Sequence, residues 1–347
     1  MSRSHHPGRR AVADLHCDLL AYLVVGEMQG LKRTPNDALS RASLPQMRQG
    51  GVALQTLAIF VTSRPGWSAI GHKQAEIYAR LVETYDQDVR PVRSMADLAA
   101  DERIGLVAAV ENASAFADED ASMDEVLKGY ERIRALTGPL LYVSLTWNGE
   151  NRFGGGVPMD ETTEAKGLKP DGKVLLDYLA EKGPAVDLSH TSPRLAHDIL
   201  DYIYAKGLDL PVLASHSPYR SLVDIQRNLG DVEAKEIAAR GGLIGLNLLG
   251  RFLKGEPPHC FVDQIRHAQE LGVLGAQAMG ADFFYEGDIP DRPADAGEEF
   301  HPGFADASCY PSLFSALQEE LELDDAVLDD LAWNHFESFL PKVLPAT

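Results

Sequence analysis

Three histidines and three carboxylates stand where this chain could do chemistry: His16, Asp18, Glu111, His190, His216 and Asp282. His16 and Asp18 lie two apart in "AVADLHCDLL" (11–20). In a strand, residues i and i+2 project to the same face, so this pair is expected to point to one place. Neutral imidazole and carboxylate are suitable ligands for a divalent metal. Glu111 closes the apolar run "IGLVAAVE", His190 follows "AVDLS", His216 follows "PVLAS", and Asp282 sits within "AQAMGADF". Each has an ordinary alternative: a solvated glutamate, a polar turn after a strand, or an aspartate capping a helix. Together they exceed what one tetrahedral ion needs, whereas two ions sharing a carboxylate use them all, with Glu111 as the candidate bridge. Such a pair lowers the pKa of water and polarises a carbonyl, which is hydrolytic chemistry.

The elements that must position these residues are short apolar runs: 11–16, 52–60, 104–111, 140–146, 185–189, 211–215, 243–248 and 276–283. Most are almost continuously apolar, as parallel strands covered on both faces should be. Helical patterns lie between or after them at 70–87, 124–138, 192–207, 231–242, 262–272, 310–322 and 325–340. The 192–207 segment opens on Ser192 as N-cap with Pro193 behind it and stops at Gly207. Eight strands alternating with helices predict a (β/α)8 TIM barrel, with the six residues gathered at the C-terminal face of its strands. An open doubly wound sheet is the alternative, but "LHCDLL" lacks the glycines of a dinucleotide-binding turn. "FGGGVP" (153–158) is expected to be a mobile loop, since no Lys-Ser/Thr follows to make a phosphate site. "GLKPDGK" (167–173) also reads as a turn-rich loop, and 285–306 as an acidic irregular stretch.

The 347 residues carry 52 acidic and 32 basic side chains, a net charge of −20. That balance argues against nucleic acid or an anionic membrane as partner. Cys17, Cys260 and Cys309 are odd in number and form no CxxC pair, which fits a reducing cytoplasm. Residues 1–10, "MSRSHHPGRR", lack the apolar stretch of a secretory signal and are expected to be a disordered tail, His5 and His6 included. Residues 11–347 are expected to form one domain. No apolar run reaches the roughly 18 residues of a membrane helix.

With these residues in view, the chain resembles the renal (membrane) dipeptidase family of the metal-dependent amidohydrolase superfamily. The resemblance rests on "DLHCDL", "VEN", "VDLSHTS", "VLASHSPYRSL" followed by "RNLGD", "MGADFF" and "LAWNHFESFL", and runs from about residue 12 to 340. It implies two Zn2+ or other divalent ions per chain. His16, Asp18 and Glu111 would hold the first, and Glu111, His190 and His216 the second. Asp282 would assist proton transfer, while Arg227, with the neighbouring Asn228, would bind the substrate, the guanidinium gripping its carboxylate. There are three departures. Trp147 in "LTWN" replaces a histidine that usually contacts substrate near the scissile bond, and is expected to line the pocket. Asn112-Ala113 replace a Gly-Gly pair. "DFFYEG" lacks a second aspartate after Asp282.

The implied activity is hydrolysis of dipeptides, with a D-residue accepted at the C-terminal position. The alternatives are hydrolysis of another small amide, such as an N-acyl amino acid, and a retired enzyme that only binds metal. A homodimer is implied by the resemblance alone.

Overall fold

The computed structural model describes residues 10–98, 101–158, 164–289, 292 and 297–347. The expectations for His5, His6 and the rest of 1–9 lie outside the described residues, as does part of 285–306.

Eight parallel strands form the barrel: β1 (Val12–Cys17), β2 (Val52–Phe60), β4 (Ile104–Glu111), β5 (Leu140–Ser144), β6 (Ala185–Asp187), β7 (Val212–Leu213), β8 (Ile244–Leu246) and β9 (Gln277–Met279). They are ordered β7-β6-β5-β4-β2-β1-β9-β8, and a bridge between Ala214 and Ile244 joins the ends. That closure excludes the open doubly wound sheet. The short strand β3 (Val89–Pro91), which sequence reading passed over, pairs only with β4.

The alternation along β4 shows how the barrel aims its side chains. Leu106, Ala108 and Val110 pack outward against the helices, while Val107 and Ala109 fill the interior. Glu111 continues the inward series at the strand's C-terminal end. In β1, Ala13 and Leu15 face inward and Cys17 outward. The three steps from Asp14 to Cys17 run alongside two on β2, from Gln55 to Leu57. This bulge re-aims His16, so the simple two-residue alternation expected for His16 and Asp18 does not apply. Asp18 lies beyond the strand, immediately before α1 (Leu19–Gln29).

The opposite end of the barrel is closed by the C-terminal helical segment, α10 (Asp325–Asp329) and α11 (His335–Phe339) with a wide turn between them. Trp333, Phe336, Phe339 and Leu340 pack with Ala11, Ala53, Val92 and Leu243 in the interior cluster. Arg10 is fixed by ion pairs to Asp325 and Asp329.

The helices α3 (Trp67–Thr84), α4 (Met123–Thr137), α6 (Pro193–Lys206), α7 (Asp231–Ala239), α8 (His259–Leu271) and α9 (Tyr310–Leu321) match the expected segments. Ser192 caps α6 by accepting from Leu195 N, and Gly207 ends it with φ 63°. Two loop readings need correction. "GLKPDGK" enters a helix, α5 (Pro170–Lys182): Pro170 sits in the first turn, where its missing N–H costs nothing, and Asp171 follows it at the positive end of the helix dipole. "FGGGVP" packs into the structure, with Phe153 and Gly154 to Gly156 buried and bridges joining Glu150 to Gly155 and Gly156 to Thr191. Helices α1 and α2 (Leu44–Gly50) were also not anticipated.

Candidate active site

At the C-terminal mouth, Glu111 is the centre of the array. Its Oε1 lies 2.9 Å from His190 Nε2 and 3.6 Å from His216 Nε2, and its Oε2 lies 3.5 Å from His16 Nε2. Asp282 Oδ1 is 3.6 Å from the same His16 nitrogen. Ligand atoms of His16, Glu111 and His216 come close enough together to hold an ion, as do those of His16, Asp18 and Asp282; the two groups share His16 and are alternatives for that imidazole. Five of the six residues are at most 7% exposed, His16 and His216 being fully buried, and Asp18 is half-buried. The structure thus brings together all six side chains singled out in the sequence.

The second nitrogen of each imidazole explains why the first is available. His16 Nδ1 is 2.6 Å from the Tyr142 hydroxyl, which itself donates to Leu15 O. His190 Nδ1 is 2.9 Å from Asn148 Oδ1, an acceptor. His216 Nδ1 is 2.7 Å from Ser215 Oγ, whose proton goes to Asp187. In each neutral imidazole these partners put the proton on Nδ1, so Nε2 is the nitrogen that faces inward and is left to bind a cation. The Nε2 atoms of His190 and His216 then face one another at 3.0 Å with no proton between them. His16 Nε2 and Asp18 Oδ1 are buried without a hydrogen-bond partner. Inward-facing Nε2 atoms and carboxylates in a largely buried site, with two orphaned ligand atoms, fit a divalent cation.

The electrostatics set His16 apart from the other two histidines. Burial opposes a charge on His16, but Glu111, Asp282 and Asp18 outweigh it and push its pKa up to about 10. Burial, with Arg227 nearby, pushes His190 down to about 3, and burial with the charge on His16 lowers His216 well below its ordinary value. Burial works against the Glu111 carboxylate, yet His16 and His190 hold it well below the usual range. Burial and then Glu111 raise Asp18. Burial lifts Asp282 to about 6, with His16 pulling the other way. A bound cation must therefore displace the proton on His16. Metal binding near neutral pH should release about one proton from this residue, and affinity should fall as the pH is lowered. Titration calorimetry in buffers of different ionisation enthalpy checks this; a binding heat independent of the buffer would contradict it.

Backbone strain collects at the same place. His190 and Asp282 both have φ 65° and Asn112 has φ 78°. Such conformations are uncommon outside glycine and persist only where the surroundings enforce them.

A family profile described as Membrane dipeptidase (Peptidase family M19) matches residues 8–342. The chain belongs to the membrane dipeptidase family. It is a metal-dependent dipeptidase by that membership. An uncharacterized dipeptidase of Schizosaccharomyces pombe is 26% identical over 319 residues, covering 85% of this chain and 70% of that protein. An uncharacterized protein in the pqqA 5' region of Klebsiella pneumoniae is 26% identical over 286 residues, covering 78% and 95%. Two solved structures share the fold. One is the metallo peptidase "dipeptidase AC" (TM-score 0.80, 22% identity, 97% and 99% covered). The other is a Rhodobacter sphaeroides metallo peptidase liganded with a phosphinate mimic of L-Ala-D-Ala (TM-score 0.78, 21% identity, 96% and 99% covered).

The departures from the membrane dipeptidase pattern now have a structural setting. Asn112 takes a backbone conformation natural to the glycine it replaces. It compensates with hydrogen bonds from Nδ2 to Val61 O and Ser63 Oγ, and to Oδ1 from Ser114 N and Asn151 Nδ2. The half-buried Trp147 ring lies 5.9 Å from that of His190 and meets Phe60 edge-on at 5.1 Å. Gly156 is required beneath it, because any Cβ there would collide with Trp147 O. Arg227 is buried, donating from Nη1 to Ser217 Oγ and from Nη2 to His216 O, with Nε unpartnered. The Asn228 amide nitrogen is spent on Val223 O and Phe252 O, tying down the loop that carries Arg227, while its Oδ1 has no partner.

Sequence reading missed Tyr142, Asn148, Asp187, Ser215 and Asn247. All could have been sought by asking what holds the far nitrogen of each histidine, or the carboxylate of Asp282, which accepts from Asn247 Nδ2 at 2.9 Å.

Proposed function

We propose that this chain hydrolyses dipeptides at a centre of two divalent ions, zinc being the natural choice for its mixed imidazole and carboxylate ligands. His16, Asp18 and Glu111 would hold one ion, Glu111, His190 and His216 the other. The observation that carries the reading is the convergence of three imidazole Nε2 atoms on the two oxygens of one buried glutamate. When bound, two such ions polarise a carbonyl oxygen and lower the pKa of water.

The chain's own residues supply the rest. Asn247 fixes Oδ2 of Asp282, leaving Oδ1 facing the centre. From there Oδ1 can accept a proton from the attacking water and return it to the departing amine nitrogen. Arg227, buried and with Nε unpartnered, offers the fixed positive charge for the substrate's terminal carboxylate. Asn228 contributes by holding that loop and by its free carbonyl oxygen. Trp147 forms a wall beside His190, where its indole donates one hydrogen bond but cannot carry a cationic proton. Acceptance of a D-residue at the C-terminal position is supported by the ligand bound to the Rhodobacter sphaeroides relative. The three cysteines, all buried and free of disulfides, support a reducing, cytoplasmic setting. The acidic surface supports a small-molecule substrate without nucleic acid or membrane as partner. None of the described helices is long and apolar enough to cross a membrane. A homodimer is part of the reading by family resemblance only.

The test is a panel of L,L- and L,D-dipeptides and N-acyl amino acids, assayed with added zinc, alongside elemental analysis for two ions per chain. Trp147→His belongs in the same panel. A histidine there should restore a donor for the developing oxyanion and raise dipeptide turnover, toward the ~10²-fold such a donor commands. If that variant loses activity while the wild type prefers N-acyl amino acids, the pocket is built for those amides and the dipeptide reading is wrong.

A further inference from the structure

Asp187 belongs to neither the ligand set nor the proposed substrate contacts, yet it is fully buried beside both. The strands on either side of it are very short: β6 and β7 share two register pairs, Val186 with Val212 and Asp187 with Leu213. Beyond them the backbone ladder stops, and the segments that carry His190 and His216 need another tie. Asp187 supplies it. Its Oδ1 accepts from Ser189 N at 3.0 Å and from Ser215 N at 2.8 Å, extending the pairing by one step. Its Oδ2 accepts from Ser144 Oγ at 2.7 Å and Ser215 Oγ at 2.8 Å, which brings in β5.

Two branches leave this hub. In the first, Ser215 Oγ receives His216 Nδ1–H and so sets the tautomer that points Nε2 at the metal centre. In the second, the segment held by Ser189 N presents Ser189 Oγ to His216 N at 3.0 Å and to Ser217 Oγ at 2.9 Å. Ser217 Oγ in turn accepts from Arg227 Nη1. We propose that Asp187 is a positioning residue that locks the metal ligand His216 and the substrate clamp Arg227 into one unit, through Ser215 on one branch and through Ser189 and Ser217 on the other. The second branch rests on the reading of Arg227 as the carboxylate clamp.

The two branches predict separable defects. Ser215→Ala removes only the partner of the imidazole. Its zinc affinity, measured by competition with a chromogenic chelator, should fall about 10–100-fold. Once saturated with zinc, its KM for a dipeptide should stay within about twofold of wild type. Ser217→Ala should do the reverse: zinc affinity unchanged, KM for the free-acid dipeptide raised several-fold, KM for the C-terminally amidated dipeptide unmoved. Asp187→Asn should show both defects. The two serine variants decide the matter even if Asp187→Asn does not fold. A structural strut would lower thermal stability in all three without this split, and if the serine variants move both quantities or neither, the proposal is overturned. Arg227→Ala, run beside them, separates the two failures. If it keeps full discrimination between acid and amide, the clamp reading falls and takes the second branch with it. If it loses discrimination while Ser217→Ala keeps it, the tie through Ser217 is wrong.

Discussion

Replacing Glu111 with glutamine should lower dipeptide turnover by at least about 10³-fold while the barrel remains folded. The carboxylate offers one oxygen toward His16 and the other toward His190 and His216. Glutamine keeps the volume but turns one of those oxygens into a donor. Whichever way the amide is placed, either His16 or the His190–His216 pair loses an anionic neighbour, and the negative charge between two would-be cations disappears. The far-UV spectrum should be unchanged, and elemental analysis should find fewer than two ions retained after gel filtration. Were Glu111 only a strand-end residue, the same change would cost well under about 1 kcal/mol and leave turnover alone. Normal turnover would therefore remove it from the centre.

The second large effect concerns Arg227. Loss of a charge-assisted pair to a substrate carboxylate should cost roughly 1.5–3 kcal/mol, or about one to two decades in kcat/KM. Arg227→Lys keeps the charge but not the planar pair of N–H groups, so it too should raise KM markedly. Lysine also cannot satisfy Ser217 Oγ and His216 O in the geometry arginine uses. The control is the same dipeptide with its C-terminus amidated. Wild type should discriminate against the amide, and Arg227→Ala should lose most of that discrimination. Equal treatment of acid and amide by both enzymes would direct the search for substrate toward neutral amides.

What could be read from the sequence divides along physical lines. The eight strands and most helices announce themselves through uninterrupted apolar runs and regular periodicity. The candidate ligands do so because rare histidines fall at the ends of those runs. Helix α1, "LLAYLVVGEMQ", hides because it is apolar on most sides and buried at Leu19, Leu20, Tyr22, Leu23 and Val24, leaving no polar stripe to reveal a helical period. Helix α5 hides behind Pro170 and Gly172, residues that punctuate turns in isolation but are accommodated here at a helix start. The bulge that re-aims His16 leaves no local trace, since it depends on pairing with β2. The orienting residues are silent for a related reason: Tyr142, Ser215 and Asp187 are ordinary strand residues until the closed sheet brings them against the histidines. Trp147 was visible as a departure, and its place beside His190 gives that departure a location.

The way the barrel closes also dictates when the site can come into being. His16 and Asp18 precede the rest of the site in the chain, but β1 can find one of its two neighbours, β9, only after every other strand of the barrel has been made. The side chains that stopper the barrel, Trp333 through Leu344, arrive later still. Without them the cylinder has no stopper, and without β9 it has neither closure nor Asp282, the residue proposed to move the proton. Long-range pairing of this kind is slow, and it leaves apolar strands exposed while it waits. Assembly of the proposed metal site therefore waits on closure of the barrel by its last strand, however early its first residues are made.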